Sequence, residues 1–443
     1  MVRTAIALGV SLAFSLGTLT AHSATAANTG AAAASPAAVV LKAAHVFDSK
    51  SGRMNDNAVV VVQGDKILSI GNASTAPADA KVIDLGNATL LPGFIDSHVH
   101  LGMEMQKDYY KAFYQNMFRF PAEQAQYSAM YARRTLEAGF TTVRNLGAEN
   151  FADIGLRNAI NSGIIPGPRI LAAGYAIGST GGHCDGSPFP PDVIKPRGPV
   201  EGVCNGPEEC RAAVRYQMKW GADVIKICTS GGVLSESDPV DVPQLTPDEL
   251  KAIMSEAHAW KRKVAAHSHG DLAARQAIEA GVDSIEHGSF LTESTLQLMK
   301  QKGVYLVPTR LALYWTTREA DSYPPQIRDK ALAVGKVHAD MFKAALRIGV
   351  PIALGTDSGV SPHGINGKEF PLMVELGMSP AAALLAGTRE AAKLLGVDSE
   401  VGTLEAGKYA DIVAVAGNVL NNIAATEKPV FVMKHGQVVK TPQ

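Results

Sequence analysis

The chain has 443 residues, of which 46% are hydrophobic and 19% are charged, and its formal net charge at pH 7 is -1. This much apolar material excludes a disordered protein, which combines low hydrophobicity with a high net charge. The balanced charge and the lack of a long basic run in the sequence argue against nucleic acid as a partner. The length suits a large α/β barrel with a small additional domain.

The first 26 residues have the order of a secretory signal peptide. Arg3 supplies a positive charge, an apolar run follows over residues 5–19, and small residues surround Ala24. The apolar run is shorter than the roughly 20 residues that a membrane span needs. We therefore expect residues 1–26 to be removed and the mature chain to be exported, to the periplasm or the medium, without a stable membrane span. An uncleaved membrane anchor is the alternative.

The four cysteines bear on this expected export, because disulfides persist in oxidising compartments. Cys204 and Cys210 lie close together in one polar segment rich in Gly and Pro. We expect them to form a disulfide that closes a small loop, with two free thiols as the alternative, since connectivity is not fixed by sequence. Cys228 is interpreted as a small apolar core residue, and Cys184 is left unassigned.

Both ends of the mature chain show the short apolar runs and turn residues of β-strands. The runs are residues 58–62, 67–70, 410–415 and 430–433. The first two flank a turn at Gly64, which predicts a β-hairpin. The simplest arrangement is one small β-sandwich domain formed jointly by residues 37–93 and 402–443.

Residues 94–401 alternate apolar strand patterns with stretches long enough for helices, such as 247–261 and 272–280. The candidate strands, the first of which begins slightly earlier, are residues 90–98, 141–146, 169–177, 223–229, 263–267, 284–287, 304–308 and 351–357. This pattern predicts a (β/α)₈ TIM-like barrel. An open doubly wound sheet is the alternative, but no glycine-rich dinucleotide fingerprint follows an early strand.

Side chains of the type that bind metals stand where four of these candidate strands end. His98 and His100 are two residues apart, so they lie on the same face of the first strand. His267, His287 and Asp357 stand at the ends of the fifth, sixth and eighth strands. Barrel enzymes place their chemistry at these ends, and neutral imidazole is the commonest metal ligand. A lone histidine is more often a core residue, but the set of five predicts a metal centre.

Lys226 interrupts the apolar run of the fourth candidate strand. Burial of an unpaired ammonium group is costly, so this side chain needs a nearby carboxylate or must lose its charge. Reaction with CO₂ would give a carbamate, an anionic oxygen ligand that can bridge two cations. A lysine that extends to water along its own alkyl stem is the alternative. Because five other ligand-type residues accompany Lys226, we favour the carbamate.

Taken together, residues 91–100, Lys226, the two later histidines and residues 355–359 resemble the metal-dependent amidohydrolase superfamily. The likeness covers nearly the whole mature chain. The motifs at residues 179–183, 229–232 and 363–367 are similar to those of the imidazolonepropionase-like, Xaa-Pro dipeptidase-like branch. The chain also resembles bacterial amidohydrolases that hydrolyse ochratoxin A.

This resemblance implies two divalent metal ions, namely zinc. His98, His100 and Asp357 would bind one ion, and His267 and His287 the other. A carbamate on Lys226 would bridge the two. Asp357 would also serve first as general base and then as general acid. The family further implies a homo-oligomer, with an octamer as one such assembly.

Three more histidines, His183, His269 and His363, follow the third, fifth and eighth candidate strands. Each is a candidate to bind a substrate carboxylate or an oxyanion, and support of a metal ligand is the alternative role. Arg144, at the end of the second strand, is a further candidate for the carboxylate, with a buried ion pair as the alternative. Aromatic and methionine residues between positions 103 and 120 either line an apolar pocket or pack a helix on the barrel or on a neighbouring subunit.

These interpretations predict a hydrolase that cleaves the amide bond of a small molecule, either an N-acyl amino acid or a dipeptide, and releases the C-terminal amino acid. Ochratoxin A, an aromatic acid joined by an amide to phenylalanine, fits this description. The alternatives are an Xaa-Pro dipeptidase and a cyclic-amide hydrolase of the imidazolonepropionase type. Lys226 disfavours a deaminase with one metal, and the presence of all six ligand positions disfavours a non-catalytic scaffold.

Overall fold

The computed structural model of the protein describes residues 38–71, 76–186, 192, 195–236 and 238–442. The predicted signal peptide at residues 1–26 lies outside these residues. Within the described part of the chain, no helix is long and apolar enough to cross a membrane.

The strands and helices of the described residues alternate through the middle of the chain, whereas strands prevail at both ends. The strands are β1 (Ala38–Asp48), β2 (Arg53–Gln63), β3 (Lys66–Ile70), β4 (Lys81–Asp84), β5 (Ala88–Pro92), β6 (Phe94–Val99), β7 (Phe140–Asn145), β8 (Arg169–Ala172), β9 (Val224–Cys228), β10 (Lys263–Ser268), β11 (Ser284–His287), β12 (Tyr305–Val307), β13 (Ile412–Ala416), β14 (Phe431–Lys434) and β15 (Gln437–Lys440). The helices are α1 (Tyr109–Phe118), α2 (Pro121–Glu137), α3 (Ala152–Asn161), α4 (Pro207–Lys219), α5 (Pro247–Ala259), α6 (Asp271–Ala280), α7 (Glu293–Lys302), α8 (Arg310–Arg318), α9 (Pro325–Ile348), α10 (Glu369–Glu375), α11 (Pro380–Leu385) and α12 (Ala391–Leu395).

Strands from both ends of the chain join in one sheet of eight strands, in the order β15-β14-β13-β5-β1-β2-β3, with β4 paired to β1. The predicted hairpin is β2 and β3, in which Val62 stands opposite Ile67. The two ends meet where β13 runs antiparallel to β5, with Val413 opposite Leu91. The prediction that both termini build one β unit is therefore confirmed, whereas the two-layer sandwich and the domain boundaries stay predictions.

The middle of the chain contains two parallel sheets, one of β6, β7 and β8 and one of β9, β10, β11 and β12. Isolated parallel bridges extend the second of these sheets to neighbouring segments of the chain. Ile177 pairs with Ile227 of β9, and Leu306 of β12 pairs with Ile352. The segment after Ile352 lies beside β6, where Ser97 N donates to Leu354 O at 2.8 Å. Parallel strands joined by helices make this an α/β fold.

Helix α5 shows how local sequence sets the helix boundaries. The side chain of Thr246 accepts from the backbone N–H of Glu249, and the carboxylate of Glu249 accepts in return from Thr246 N at 2.8 Å. This reciprocal capping box satisfies N–H groups that the first helical turn leaves free. The helices predicted at residues 247–261 and 272–280 are confirmed as α5 and α6.

Three predicted strands are wrong in extent. The run at residues 90–98 is divided at Gly93, where a Cβ atom would lie 2.1 Å from Thr141 Oγ1 and Gly93 N donates to Asp411 O. Only a glycine permits this approach. At Gly93 the chain leaves β5 of the eight-stranded sheet, here called the terminal sheet, and enters β6. The strand predicted at 169–177 ends at Ala172. The strand predicted at 351–357 is reduced to one isolated bridge at Ile352, and Asp357 there has a left-handed backbone with φ 56°.

Candidate metal centre

His98, His100 and Asp357 come together at the carboxyl end of β6, with ligand atoms within 4.8 Å of one another. The Nε2 atoms of the two histidines are 3.3 Å apart. Asp357 Oδ1 lies 3.4 Å from His98 Nε2 and 3.3 Å from His100 Nε2. The backbone joins the same residues, since Asp357 N donates to His98 O at 2.7 Å. We call these three residues the first half-site.

His267 and His287 stand at the ends of the adjacent parallel strands β10 and β11. Their ring centroids are 4.7 Å apart, and that of His287 lies 5.2 Å from that of His98. We call His267 and His287 the second half-site. His269 belongs to the same cluster, because its ring stacks on His287 with centroids 4.8 Å apart and its ligand atom lies within 4.8 Å of theirs.

Lys226 lies beside the first half-site, with its Nζ 3.4 Å from His98 Nε2. The side chain is buried, and burial lowers its pKa to about 8, against the opposing effect of Glu286 and Asp357. The uncharged amine is therefore more populated near neutral pH than in a solvated lysine, while the protonated form still predominates. The side chain does not extend to water, so the alternative interpretation of a solvated lysine is wrong.

Each histidine of the two half-sites uses one ring nitrogen for a protein contact, which leaves the other nitrogen for a ligand. The contacts are His98 Nδ1 to Glu286 Oε2 at 2.9 Å, His100 Nδ1 to Gly147 O at 3.4 Å, His267 Nε2 to Gly231 O at 3.1 Å and His287 Nδ1 to Thr309 Oγ1 at 2.7 Å. Histidines that bind metals in proteins are held in this way. Burial lowers the pKa of His98 to about 4 and those of His267 and His287 well below the usual value, so these three rings are neutral, as metal binding requires.

Two buried carboxylates that the sequence reasoning missed support the first half-site. Glu286 contacts His98 through Oε2 and accepts from Ser284 Oγ at 2.6 Å. Burial opposes its ionisation, but Arg144 and His98 outweigh burial and lower its pKa to about 2. The signal was available, because Glu286 directly precedes a ligand histidine.

Asp96 is the second of these carboxylates. It accepts from Thr356 Oγ1 at 2.6 Å, from Asn366 Nδ2 at 2.9 Å and from the backbone of His98 at 3.1 Å. Burial raises its pKa to about 6. Because Thr356 directly precedes Asp357, this carboxylate fixes the two segments of the first half-site to each other.

Arg144 is buried in an ion pair and does not face the site. Its side chain is 1% exposed, and it donates to Ser97 O at 2.6 Å, to Ser284 Oγ at 3.2 Å and to Glu286 Oε1 at 2.9 Å. All three guanidinium nitrogens are thus engaged within the protein. The alternative interpretation of a buried ion pair is correct, and the prediction that Arg144 binds a substrate carboxylate is wrong.

The other three candidate histidines surround the two half-sites. His183 stacks on His267 with ring centroids 4.2 Å apart, and its Nδ1 lies 3.1 Å from Ser235 Oγ. His363 stacks on Tyr131 and its Nε2 donates to Met103 O at 2.9 Å. Its Nδ1 is buried and has no hydrogen-bond partner among the described residues. Burial lowers the pKa of both His183 and His363 to about 4, and that of His269 to about 3.

Two disulfides lie near this end of the strands. The predicted pair Cys204–Cys210 is confirmed, with Cα atoms 5.0 Å apart. The interpretation of Cys228 as an unbonded core residue is wrong, because Cys228 is bonded to Cys184 with Cα atoms 5.8 Å apart. This second bridge joins β9, which carries Lys226, to the loop that carries His183.

The aromatic segment around α1 has an inner and an outer face. Tyr109 packs with Met105, Tyr323 and Ile327, and its hydroxyl donates to Leu234 O at 2.8 Å. The outer residues Tyr110, Tyr114, Phe118 and Phe120 are exposed. Among the described side chains of this helix, the buried ones therefore lie on one face.

Comparison with known proteins decides the family. The description of the amidohydrolase family matches residues 89–441. Ochratoxinase from Aspergillus niger is 33% identical over 410 residues, covering 87% of this chain and 83% of that protein. The chain belongs to the amidohydrolase family. It is accordingly a hydrolase that acts on amide bonds, as the sequence motifs predicted.

Solved structures of similar proteins have the same fold. A crystal structure of a Xaa-Pro dipeptidase with methionine bound in its active site has a TM-score of 0.86 and 40% identity, and covers 91% of this chain and 99% of that chain. The crystal structure of the Aspergillus niger ochratoxinase has a TM-score of 0.80 and 30% identity, with 91% and 96% covered. Imidazolonepropionase from Cutibacterium acnes is 26% identical over 388 residues, with 81% and 84% covered.

Proposed function

We propose that this amidohydrolase uses two metal ions to cleave an amide bond and release the C-terminal amino acid of an N-acyl amino acid or a dipeptide. The observation that carries the proposal is the arrangement of the ligand histidines. Four imidazoles each present one ring nitrogen that makes no protein contact outside the cluster among the described residues, and they surround a buried lysine and a carboxylate. Imidazole, carboxylate and an anionic oxygen form a donor set that suits zinc.

The proposed architecture is a (β/α)₈ barrel closed through the backbone bridges between the two parallel sheets. Hydrogen bonds support closure on both sides: Ile177 N donates to Lys226 O at 2.8 Å, and Ser97 N donates to Leu354 O at 2.8 Å. The terminal sheet would form the separate domain of residues 37–93 and 402–443. All six proposed ligands then stand at the carboxyl ends of the barrel strands, where barrel enzymes have their sites.

The first half-site would hold one zinc ion and the second half-site the other. Lys226 would bridge them as a carbamate, which forms from an uncharged amine. Its lowered pKa supports this reaction, and the conversion of a buried cation into an anion removes repulsion from the metals. Two divalent cations bound here would polarise a carbonyl group and lower the pKa of water.

Asp357 is the proposed proton carrier. Burial opposes its ionisation, but His98 and His100 outweigh burial and lower its pKa to about 2, so the carboxylate is ionised at neutral pH. It would accept a proton from the attacking water and pass it to the nitrogen of the leaving amine. General acid–base work by one positioned carboxylate contributes about 10²–10⁴-fold to a rate.

Recognition of the substrate is assigned to His183, His269 and His363. As neutral imidazoles, His183 and His269 would each offer one N–H donor to a substrate carboxylate or to the oxyanion that forms during amide cleavage. His363 Nε2 carries the single hydrogen of this neutral ring and donates it to Met103 O, so its Nδ1, which is buried and has no partner among the described residues, would accept a hydrogen bond from a donor group of the substrate. His183 lies directly on His267, which places its ring beside the second half-site.

The relatives favour two substrate classes. The likeness to ochratoxinase supports ochratoxin A, cleaved to ochratoxin alpha and phenylalanine. The likeness to a Xaa-Pro dipeptidase supports an Xaa-Pro dipeptide. A cyclic-amide hydrolase of the imidazolonepropionase type rests on a lower identity. We further propose an exported homo-oligomer; the two disulfides support export, and the oligomer, an octamer by resemblance, rests on the family alone.

The experiment is a comparison of matched substrates. Ochratoxin A, N-acyl-phenylalanines and Xaa-Pro dipeptides would each be assayed beside the analogue in which the terminal carboxylate is a carboxamide, with the amino acid product identified by mass spectrometry. We expect the carboxylates to have a kcat/KM at least about 100-fold higher, because a site that pairs a carboxylate rejects a ligand that leaves its donors unpaired. Equal rates for acids and carboxamides would contradict the proposal and favour a cyclic or general amide hydrolase.

A further inference from the structure

His287, a histidine of the second half-site, has an unusual backbone conformation. Its φ is 68°, in the left-handed region that side chains other than glycine rarely adopt. Thr309, whose hydroxyl contacts His287 Nδ1, is also left-handed, with φ 48°. Such conformations persist only where surrounding contacts hold them, and they concentrate at functional sites.

A buried network supplies contacts of this kind. His338 on α9 is fully buried, and its Nε2 lies 3.0 Å from His287 O. Its Nδ1 lies 2.9 Å from Arg310 Nη1. A guanidinium can only donate, so Nδ1 is the acceptor, and Nε2 therefore carries the hydrogen that it donates to the carbonyl of His287. The two contacts fix one tautomer and one ring orientation.

Arg310 is in turn held by Glu369, a buried carboxylate of α10. Glu369 accepts from Arg310 N at 2.8 Å and from Leu311 N at 2.6 Å. These are the first two N–H groups of α8, which no intrahelical acceptor satisfies. Since Thr309 directly precedes α8, the position of its hydroxyl follows from the same anchor.

These contacts form one connected network around His287. Its imidazole is held by Thr309, its carbonyl is held by His338, and Arg310 joins these two supports. Among the described residues, His338 reaches no other histidine of the half-sites by a hydrogen bond. The network around His287 therefore supports the second half-site alone.

We propose that His338 is a positioning residue, which holds the left-handed backbone of His287 and thereby directs its imidazole to the metal of the second half-site. This inference rests on the proposed two-metal function. His338 touches neither substrate nor metal, and its effect passes through His287.

The test is a matched pair of substitutions at one position. In His338→Gln the side-chain amide nitrogen can take the place of Nε2 and still donate to His287 O. In His338→Asn the shorter side chain can accept from Arg310 but does not reach His287. Phe342→Leu, one turn further along the same buried face of α9, is the control for general loss of packing.

We expect His338→Asn to weaken the binding of one of the two metals by about 10–100-fold, the range seen when a ligand's support is removed. The measurement is competition with a metal chelator, with metal content counted per chain. We also expect kcat to fall with little change in KM. His338→Gln should restore most of both properties, and Phe342→Leu should lower stability while both metals are retained.

The possible negative results of these experiments lead to different conclusions. If wild-type protein binds two metals and His338→Asn binds both equally well with unchanged kcat, the inference is wrong and the proposed function stands. If His338→Gln and His338→Asn lose metal equally, the bond to His287 O is not the cause, and the inference is again wrong. If the wild-type protein binds no metal, the proposed function fails and the inference fails with it.

Discussion

The two half-sites differ in how the chain builds them. In the first, His98, His100 and the supporting Asp96 lie within five consecutive residues at the end of β6, and Asp357 is joined directly to that strand by its backbone. In the second, each histidine comes from its own strand and is held by a group from another loop, namely Gly231 O for His267 and Thr309 for His287. A compact motif thus specifies one half, and dispersed tertiary contacts specify the other.

Both half-sites nevertheless contain one ligand with a left-handed backbone. Asp357 has φ 56° and His287 has φ 68°. A left-handed backbone at such a residue costs of order 1–3 kcal/mol of folding free energy. Each of the two residues therefore needs contacts that hold its backbone. Asp96 supports Asp357 by binding Thr356, and His338 supports His287. The comparison implies that each half can be weakened without the other.

Among the variants that test whether the two half-sites are supported separately, we expect Asp96→Asn to have the largest effect. Asp96 accepts from His98 N and Thr356 N at Oδ1 and from Thr356 Oγ1 and Asn366 Nδ2 at Oδ2. The amide of an asparagine would turn its NH₂ group, which only donates, toward one of these pairs of donors. We expect a loss of about 10–100-fold in metal affinity or activity, confined to the metal of the first half-site. Anomalous scattering from crystals of the variant, measured at each half-site after partial chelation, would show which metal is lost.

Asp411→Asn provides the control, because Asp411 is also buried but pairs with Arg169 beside the terminal sheet. This variant should lose stability and keep both metals. Equal loss of both metals in Asp96→Asn would show that the centre is a single cooperative unit, and the comparison of two separately supported halves would then be wrong.

A smaller effect is expected from the disulfides. Cys184–Cys228 closes a sequence separation of 44 residues, and Cys204–Cys210 one of 6 residues. The chain-entropy relation gives about 4 kcal/mol of stability for the first and about 2 kcal/mol for the second. Replacement of each pair by serines, followed by denaturant unfolding, measures both values.

The same two variants sharpen the comparison of the half-sites. Cys184 adjoins His183, which stacks on His267 of the second half-site. We therefore expect the Cys184/Cys228 variant to show a several-fold change in KM or kcat in addition to its lower stability, whereas the Cys204/Cys210 variant keeps wild-type kinetics. If the two variants have indistinguishable kinetics, this disulfide does not position His183.

The sequence predicted what short-range patterns determine. Alternation and turn residues identified the hairpin of β2 and β3, and the rule that barrel chemistry lies at strand ends identified His98, His100 and Asp357 as candidate ligands. These features depend on neighbours a few residues away, or on a general property of the fold. Family resemblance supplied the grouping of the ligands.

Features that depend on distant partners were not predictable. Gly93 belongs to one continuous apolar run in the sequence, and only its approach to Thr141 shows that the strand must break there. The bond of Cys184 to Cys228 was not predictable, since connectivity depends on tertiary structure. His338, 51 residues beyond the carbonyl it binds, looks in the sequence like any other polar residue of a helix.

The central claim, two metals joined by Lys226, is tested most directly by the metal content of purified protein. Wild type and Lys226→Ala would be prepared without chelators, and divalent metals would be counted per chain by mass spectrometry. The account predicts about two zinc ions per wild-type chain and a loss of metal and of amide hydrolysis in Lys226→Ala. Wild-type protein that hydrolyses amides with one metal or none, or a Lys226→Ala variant that keeps both metals and full turnover, would contradict it.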